Sequence, residues 1–199
     1  MKLILASTSR YRRELLSRLH VAFDTVAPGI DEAARPGERP GPLSLRLSLE
    51  KAIAVAQSHP DAVVIGSDQT ATIDGMTSIG KPGTHERAVA QLRAASGREL
   101  VFHSSMAVVR LRDRFERTIT VDTRVRFRTL GDEEIESYLR AEMPYDCAGA
   151  AKCEGLGISL LDGIDSSDPT AIIGLPPIAL ARQLREAGVR IPGEAAGGR

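Results

Sequence analysis

Aromatic side chains are scarce in this 199-residue chain, which has three Tyr, four Phe and no Trp, and charge of either sign is not in excess, with Lys plus Arg and Asp plus Glu at 26 each. A module that binds nucleic acid by stacking bases on aromatic rings within a basic field is therefore excluded as the main reading. Long apolar runs are also missing. No stretch approaches the roughly 18 residues a membrane span requires, and the opening run Leu3–Ala6 is too short for a signal peptide. The expected location is the cytoplasm, with no membrane partner. Cys147 and Cys153, with five residues between them, match neither Cys-x-x-Cys redox spacing nor a zinc knuckle and read as reduced thiols. His20, His59, His85 and His103 stand apart in sequence and suggest neither a catalytic triad nor a metal cluster.

What is present begins at once. Leu3-Ile-Leu-Ala6 reads as a buried strand, Ser7-Thr-Ser9 as a hydroxyl-rich turn, and the residues from Arg10 on as a helix with Leu15, Leu16 and Leu19 inward. Arg10, Arg12 and Arg13 crowd the first turn, where cations oppose the helix dipole by about 0.3 to 1 kcal/mol each. A bound anion would remove the conflict, through backbone N–H groups, small hydroxyls and guanidiniums that grip phosphate oxygens. Ser-x-Ser-x-x-Arg alone fits equally an N-cap ahead of a solvated basic face.

Further along, Val21–Val26 reads as a strand, Ile30-Asp31-Glu32 as a carboxylate pair that either holds a divalent cation or lies in solvent, and 33–42 as a Pro/Gly loop. A helix follows over 43–58 with Lys51 in its middle, either solvated or a phosphate contact. Ala62–Ile65 is a second apolar strand, broken by Gly66-Ser-Asp-Gln69, which puts Asp68 at a strand's carboxyl end, where α/β proteins bind ligands. Asp74-Gly75 reads as a turn, and Gly80-Lys81-Pro82 holds a lysine in a constrained turn. Thr84 caps a helix to Ala95; Glu99–Leu111 and Phe115–Phe127 form a hairpin; Gly131–Glu142 is a helix. The small-residue segment 145–157 reads as backbone passing close to a ligand or to another backbone. Short strands near 158–161 and 170–173, a last helix ending at Gly188 and a flexible tail over 193–199 complete the reading, with 1–192 a single domain.

Taken together, these pieces resemble the Maf family of nucleoside triphosphate pyrophosphatases over nearly the whole length. The resemblance is carried by Leu-Ala-Ser-Thr-Ser-x-x-Arg-Arg at the start, Ile-Asp-Glu at 30–32, Glu-Lys-Ala at 50–52, Gly-Ser-Asp-Gln at 66–69, Gly-Lys-Pro at 80–82, the Ala-Gly and Gly-x-Gly segment, and Gly-Leu-Pro at 174–176, in that order. It implies an α/β fold, a twisted mixed sheet with flanking helices in two lobes around a cleft, as in inosine triphosphate pyrophosphatases. It implies release of pyrophosphate from a nucleoside triphosphate with a divalent cation, Mg or Mn, and a possible homodimer.

The resemblance also implies roles and a subgroup. Asp68 would be the proton acceptor or a metal ligand, Glu32 a second ligand, and Ser7, Ser9, Arg12, Arg13, Lys51 and Lys81 the phosphate cradle. Members acting on dTTP and UTP carry Arg, Thr and Gln at the positions of Tyr11, Gln69 and Glu154; an aromatic, a Gln and a Glu there resemble the 7-methyl-GTP pyrophosphatase subgroup, although Tyr11 departs from the expected Trp. Physics points the same way. N7 methylation makes guanine cationic, a cation over an aromatic face gains about 0.5 to 2 kcal/mol, and hydrogen bonds from the base to a charged Glu154 contribute roughly 1.5 to 3 kcal/mol. The alternatives are the same chemistry on dTTP, UTP or unmodified GTP, and a non-catalytic nucleotide-binding regulator of septum formation.

Overall fold

A computed structural model describes residues 1–192; the tail expected over 193–199 lies outside the described residues. The apolar opening run is strand β1 (Leu3–Ala6), followed by helix α1 (Arg10–Ser17) and a two-residue strand β2 (Asp24–Thr25). Helix α2 (Pro40–Ser58) and strand β3 (Val63–Thr72) come next, then α3 (His85–Ala95), β4 (Glu99–Arg110), β5 (Phe115–Phe127), α4 (Asp132–Glu142), β6 (Leu161–Ser166) and α5 (Pro177–Glu186). The strands form one mixed sheet in the order β2-β1-β3-β4-β5-β6. β1 is parallel to β2 and β3, while β3 to β6 run antiparallel.

Three apolar clusters divide this sheet into two lobes. Leu15 and Leu16 of α1 and Leu180 and Leu184 of α5 pack on Leu3, Leu5, Val63 and Ile65, while α2 lays Ala52, Val55 and Ala56 against the opposite face, Ile4, Ala6 and Val64. At the far end of β4 and β5, α3 and α4 enclose Leu100, Phe102, Val125 and Phe127. Asp122, Arg124 and Arg126 of β5 alternate with the buried Thr123, Val125 and Phe127, as period-two patterning requires.

Several local expectations change. The 21–26 strand shrinks to two exposed residues, which pair only with β1 at the sheet edge. The segments near 158–161 and 170–173 are 3-10 turns, Leu156–Leu160 and Ala171–Ile173, the first with Gly157 inside it and Gly155 just before it, the second followed by Gly174 at φ +120. Most consequential, Gly66-Ser-Asp-Gln69 does not break its strand. β3 runs ten residues, but β1 pairs only as far as Ala6 with Gly66, so residues 67–72 overhang their parallel neighbour. Asp68 is thus inside a strand and still just beyond the carboxyl end of β1.

Gly66 makes the approach of α2 possible. A Cβ there would overlap the Ser48 carbonyl and lie 2.6 Å from the Ala52 nitrogen. Gly66→Ala is expected to force α2 off the sheet and cost about 1 to 3 kcal/mol, read as a lower urea midpoint at unchanged slope.

Candidate active site

The overhang of β3, the start of α1 and the 145–154 segment enclose a cleft of about 620 Å³, within the size range of small-molecule sites. Its floor is an acid–lysine pair. Asp68 and Gly66 point to the α2 face of β3 because side chains alternate, and Lys51, one turn along α2 from the contact at Gly66, donates to Asp68 Oδ1 at 2.7 Å and lies 2.9 Å from Glu32 Oε2. Both Lys51 and Asp68 are buried. Burial raises the Asp68 pKa above the usual carboxylate range, against the pull of Lys51 and Arg12. Oδ2 of Asp68 has no hydrogen-bond partner among the described residues and is left to accept a proton.

Above this floor sits the turn into α1. The Ser9 hydroxyl caps the helix by accepting from the Arg12 N–H, and the Ser9 N–H donates to the Ser7 hydroxyl at 3.1 Å. Arg10 and Tyr11, whose N–H groups lack intrahelical partners as at any helix start, line the cleft. Arg12 folds back to donate to the Gly174 carbonyl at 3.1 Å; burial lowers its pKa, and the Asp68 and Glu32 carboxylates oppose that. Arg13 is exposed and outside the cleft. Successive helical residues diverge by about 100°, so the adjacent guanidiniums cannot share one anion from this side.

The opposite face of β3 secures the far wall. Ser67 donates to the Gly174 carbonyl at 2.9 Å, and Gln69 Nε2 donates to Ser104 Oγ and to the carbonyls of Ala171 and Ile172. Two carbonyl acceptors fix the amide orientation, so Gln69 offers the cleft only its oxygen. Gly174 has φ +120, a backbone that L side chains rarely adopt, and its carbonyl receives both Arg12 and Ser67. The sequence flagged Gly-Leu-Pro without a role; this shared acceptor is the role.

Lys81 is exposed on a turn tied by Gly83 N–H to the Tyr145 carbonyl at 3.0 Å and by Gln91 to the Gly80 carbonyl at 3.1 Å, and it too lines the cleft. Lys152 pairs with Glu142. Glycines 155 and 157 allow that turn, since a Cβ would meet Glu142 Oε2 at 2.8 Å and the Lys152 carbonyl at 2.6 Å respectively. Glu154 is left lining the cleft without an ion pair among the described residues. Burial raises its pKa, and although its own backbone N–H and Lys152 pull the other way, Glu142 and Asp146 add to the rise.

Around Tyr11 are residues that sequence reasoning missed. Asp146 accepts from the Tyr11 hydroxyl at 3.3 Å and pairs with Arg10 at 3.3 Å, and the Arg10 guanidinium lies 4.7 Å from the Tyr11 ring centroid. Only Arg10 had a signal, its place in the basic first turn; Asp146 is 135 residues away from Tyr11. Cys147 also lines the cleft, with burial pushing its thiol up to about 11.

As to a cation, among the described residues no three His, Cys, Asp or Glu side chains group as a metal site. Glu32 and Asp68 are two carboxylates bridged by Lys51. That donor set fits a Mg or Mn ion held chiefly by substrate phosphates, since such ions take one or two protein carboxylates and keep other oxygens.

Fold and site together define the class: an α/β protein with a hydroxyl-lined cleft, rich in charges of both signs, off the end of a parallel strand and a buried carboxylate at its base. The family model of Maf-like proteins matches residues 2–187. The chain belongs to that family. Relatives include proteins named 7-methyl-GTP pyrophosphatase from Bordetella pertussis, 60% identical over 94% of this chain and 93% of the relative, from Burkholderia thailandensis, 59% identical over 94% and 88%, and from Polaromonas sp., 57% identical over 95% and 86%. Among solved structures, the Staphylococcus aureus Ham1 protein overlaps 64% of this chain and 72% of its own at 13% identity and a TM-score of 0.46. Among the described residues no helix is long and apolar enough to cross a membrane.

Proposed function

We propose that this protein hydrolyses 7-methyl-GTP to 7-methyl-GMP and pyrophosphate, the reaction named for its relatives. The observation that carries the reading is the meeting, in one cleft, of the Lys51–Asp68 pair with Tyr11, Gln69 and Glu154. Asp68 Oδ2 takes a proton from the water that attacks the α-phosphorus. The new bond joins that water's oxygen to phosphorus, and the bond to the bridging oxygen breaks. Pyrophosphate leaves with the electron pair, its charge met by Arg12, Lys51 and Lys81, an electrostatic contribution from donors already in place. A divalent cation held chiefly by the phosphates, with Glu32 as its protein ligand, would add Lewis-acid neutralisation of their charge.

Both cysteines are free, consistent with the reducing cytoplasm, where we place the enzyme. Recognition of the base rests on Glu154, which lines the cleft without an ion pair among the described residues and which a cationic guanine edge would satisfy. Glu154→Gln is expected to lower the preference for 7-methyl-GTP over GTP about tenfold, the value of one charge-assisted hydrogen bond; an unchanged ratio of kcat/KM would remove Glu154 from base recognition.

The site of attack is tested by turnover in ¹⁸O-water. The label is expected in the nucleoside monophosphate alone. Label in pyrophosphate would place attack on the β-phosphorus and overturn the mechanism.

A further inference from the structure

The face of Tyr11 is already engaged by a cation. The Arg10 guanidinium, planar and delocalised, lies 4.7 Å from the ring centroid, donates to the Tyr11 hydroxyl at 2.6 Å and pairs with Asp146 at 3.3 Å, while the Tyr11 hydroxyl donates to the same carboxylate. All three residues line the cleft beside Glu154. A planar, charge-delocalised cation over an aromatic ring with a carboxylate beside it is the arrangement that a cationic purine requires. The protein's own side chain displays it.

Two cations cannot draw fully on one ring and one carboxylate. A cationic base arriving at Tyr11 competes with Arg10 for both, whereas a neutral base gains little from displacing it. Arg10 is largely exposed, at 72% of its side-chain surface, so it can leave without unpacking the core. Its position as the first residue of α1 gives it a second destination, the phosphate groups at the turn.

We infer that Asp146 is a specificity-determining residue, the counter-ion of the methylated base, and that Arg10 is a resident surrogate cation which the base displaces from Tyr11 and Asp146. This rests on the proposed 7-methyl-GTP reading for the identity of the base. It goes beyond that reading by assigning charge discrimination to a residue outside Tyr11, Gln69 and Glu154. Before binding, Arg10 neutralises Asp146; after exchange the base does so, and Arg10 faces the phosphates. Beside the contribution of Glu154, selectivity for the methylated base therefore includes the difference between two cations at the Asp146 carboxylate.

Equilibrium binding of 7-methyl-GMP and GMP to the full chain tests the exchange without turnover. The two ligands carry the same phosphate, so any Arg10–phosphate contact cancels in the ratio of their Kd values. Asp146→Asn is expected to lower the preference for 7-methyl-GMP about tenfold, by loss of one close charge partner, and Asp146→Glu to restore most of it. Arg10→Ala is expected to raise the preference several-fold, because the competitor is gone. Opposite movement of the ratio in the two variants is not produced by a structural role, which would weaken both ligands alike. Unchanged ratios, or ratios moving in the same direction, would overturn the exchange. Equal binding of the two ligands by the unmodified protein would overturn it as well. Pyrophosphate release is measured separately, so loss of the exchange with 7-methyl-GTP turnover intact leaves the functional reading standing, and the converse result does not mimic it.

Discussion

Asp68→Asn is expected to lower kcat by about 10²- to 10⁴-fold, the range for removal of a general base, while the protein stays folded and still binds nucleotide. The substitution keeps the shape of the side chain and removes its ability to accept a proton from water. Lys51 keeps Glu32 at 2.9 Å, so the buried ammonium retains a counter-ion and the fold has no reason to fail. Circular dichroism and binding of 7-methyl-GMP would verify that the loss lies in the chemical step. Turnover within tenfold of the unmodified enzyme would show that Asp68 only organises the cleft. A proportional rise in KM without a change in kcat would assign it to binding.

Lys51→Met carries the second large effect, and its sign follows from the charges around Asp68. Burial raises the Asp68 pKa, and Lys51 is the foremost group holding it down, ahead of Arg12. The carboxylate works when ionised, so activity is present above its folded pKa and lost as pH falls through it. Removing Lys51 leaves burial opposed mainly by Arg12, and the acidic limb of the kcat/KM profile is expected to move to higher pH. At neutral pH the loss is expected to reach at least 10²-fold, as for removal of a preorganised donor. The dependence of stability on pH has the opposite sign. A carboxyl whose folded pKa exceeds its unfolded value binds its proton more tightly when folded, so stability falls as pH rises from the ordinary carboxylate range through the raised pKa. Lys51→Met widens that window, with a ceiling of about 3 to 5 kcal/mol for a buried charge left without its partner. Unfolding in urea at acid and neutral pH measures the difference. An acidic limb that stays in place, or moves down, would contradict the pairing.

The chain's local code carried much of this arrangement. Ser9 and Thr84 cap their helices, and the hairpin of β4 and β5 follows from period-two alternation. Ser7, Ser9, Arg12, Lys51, Asp68, Gln69, Lys81 and Glu154, far apart in sequence, all line one cleft. What the sequence left open was set by long-range packing. Continuity of β3 through Gly66 depends on α2 lying directly on it, which no window of β3 encodes. The divergence of Arg12 and Arg13 depends on which face of α1 meets the sheet. The bond between Tyr11 and Asp146 joins residues 135 apart, and Lys152 chose Glu142 because glycines 155 and 157 fold the turn back on itself.

Pyrophosphate release from 7-methyl-GTP, GTP, dTTP and UTP with Mg or Mn, each compared with Asp68→Asn, tests the central claim most directly. The highest kcat/KM is expected for 7-methyl-GTP, with its loss in the variant. A preference for dTTP or UTP would keep the reaction and contradict base recognition through Tyr11 and Glu154, and nucleotide binding without turnover of any of the four would contradict the enzyme.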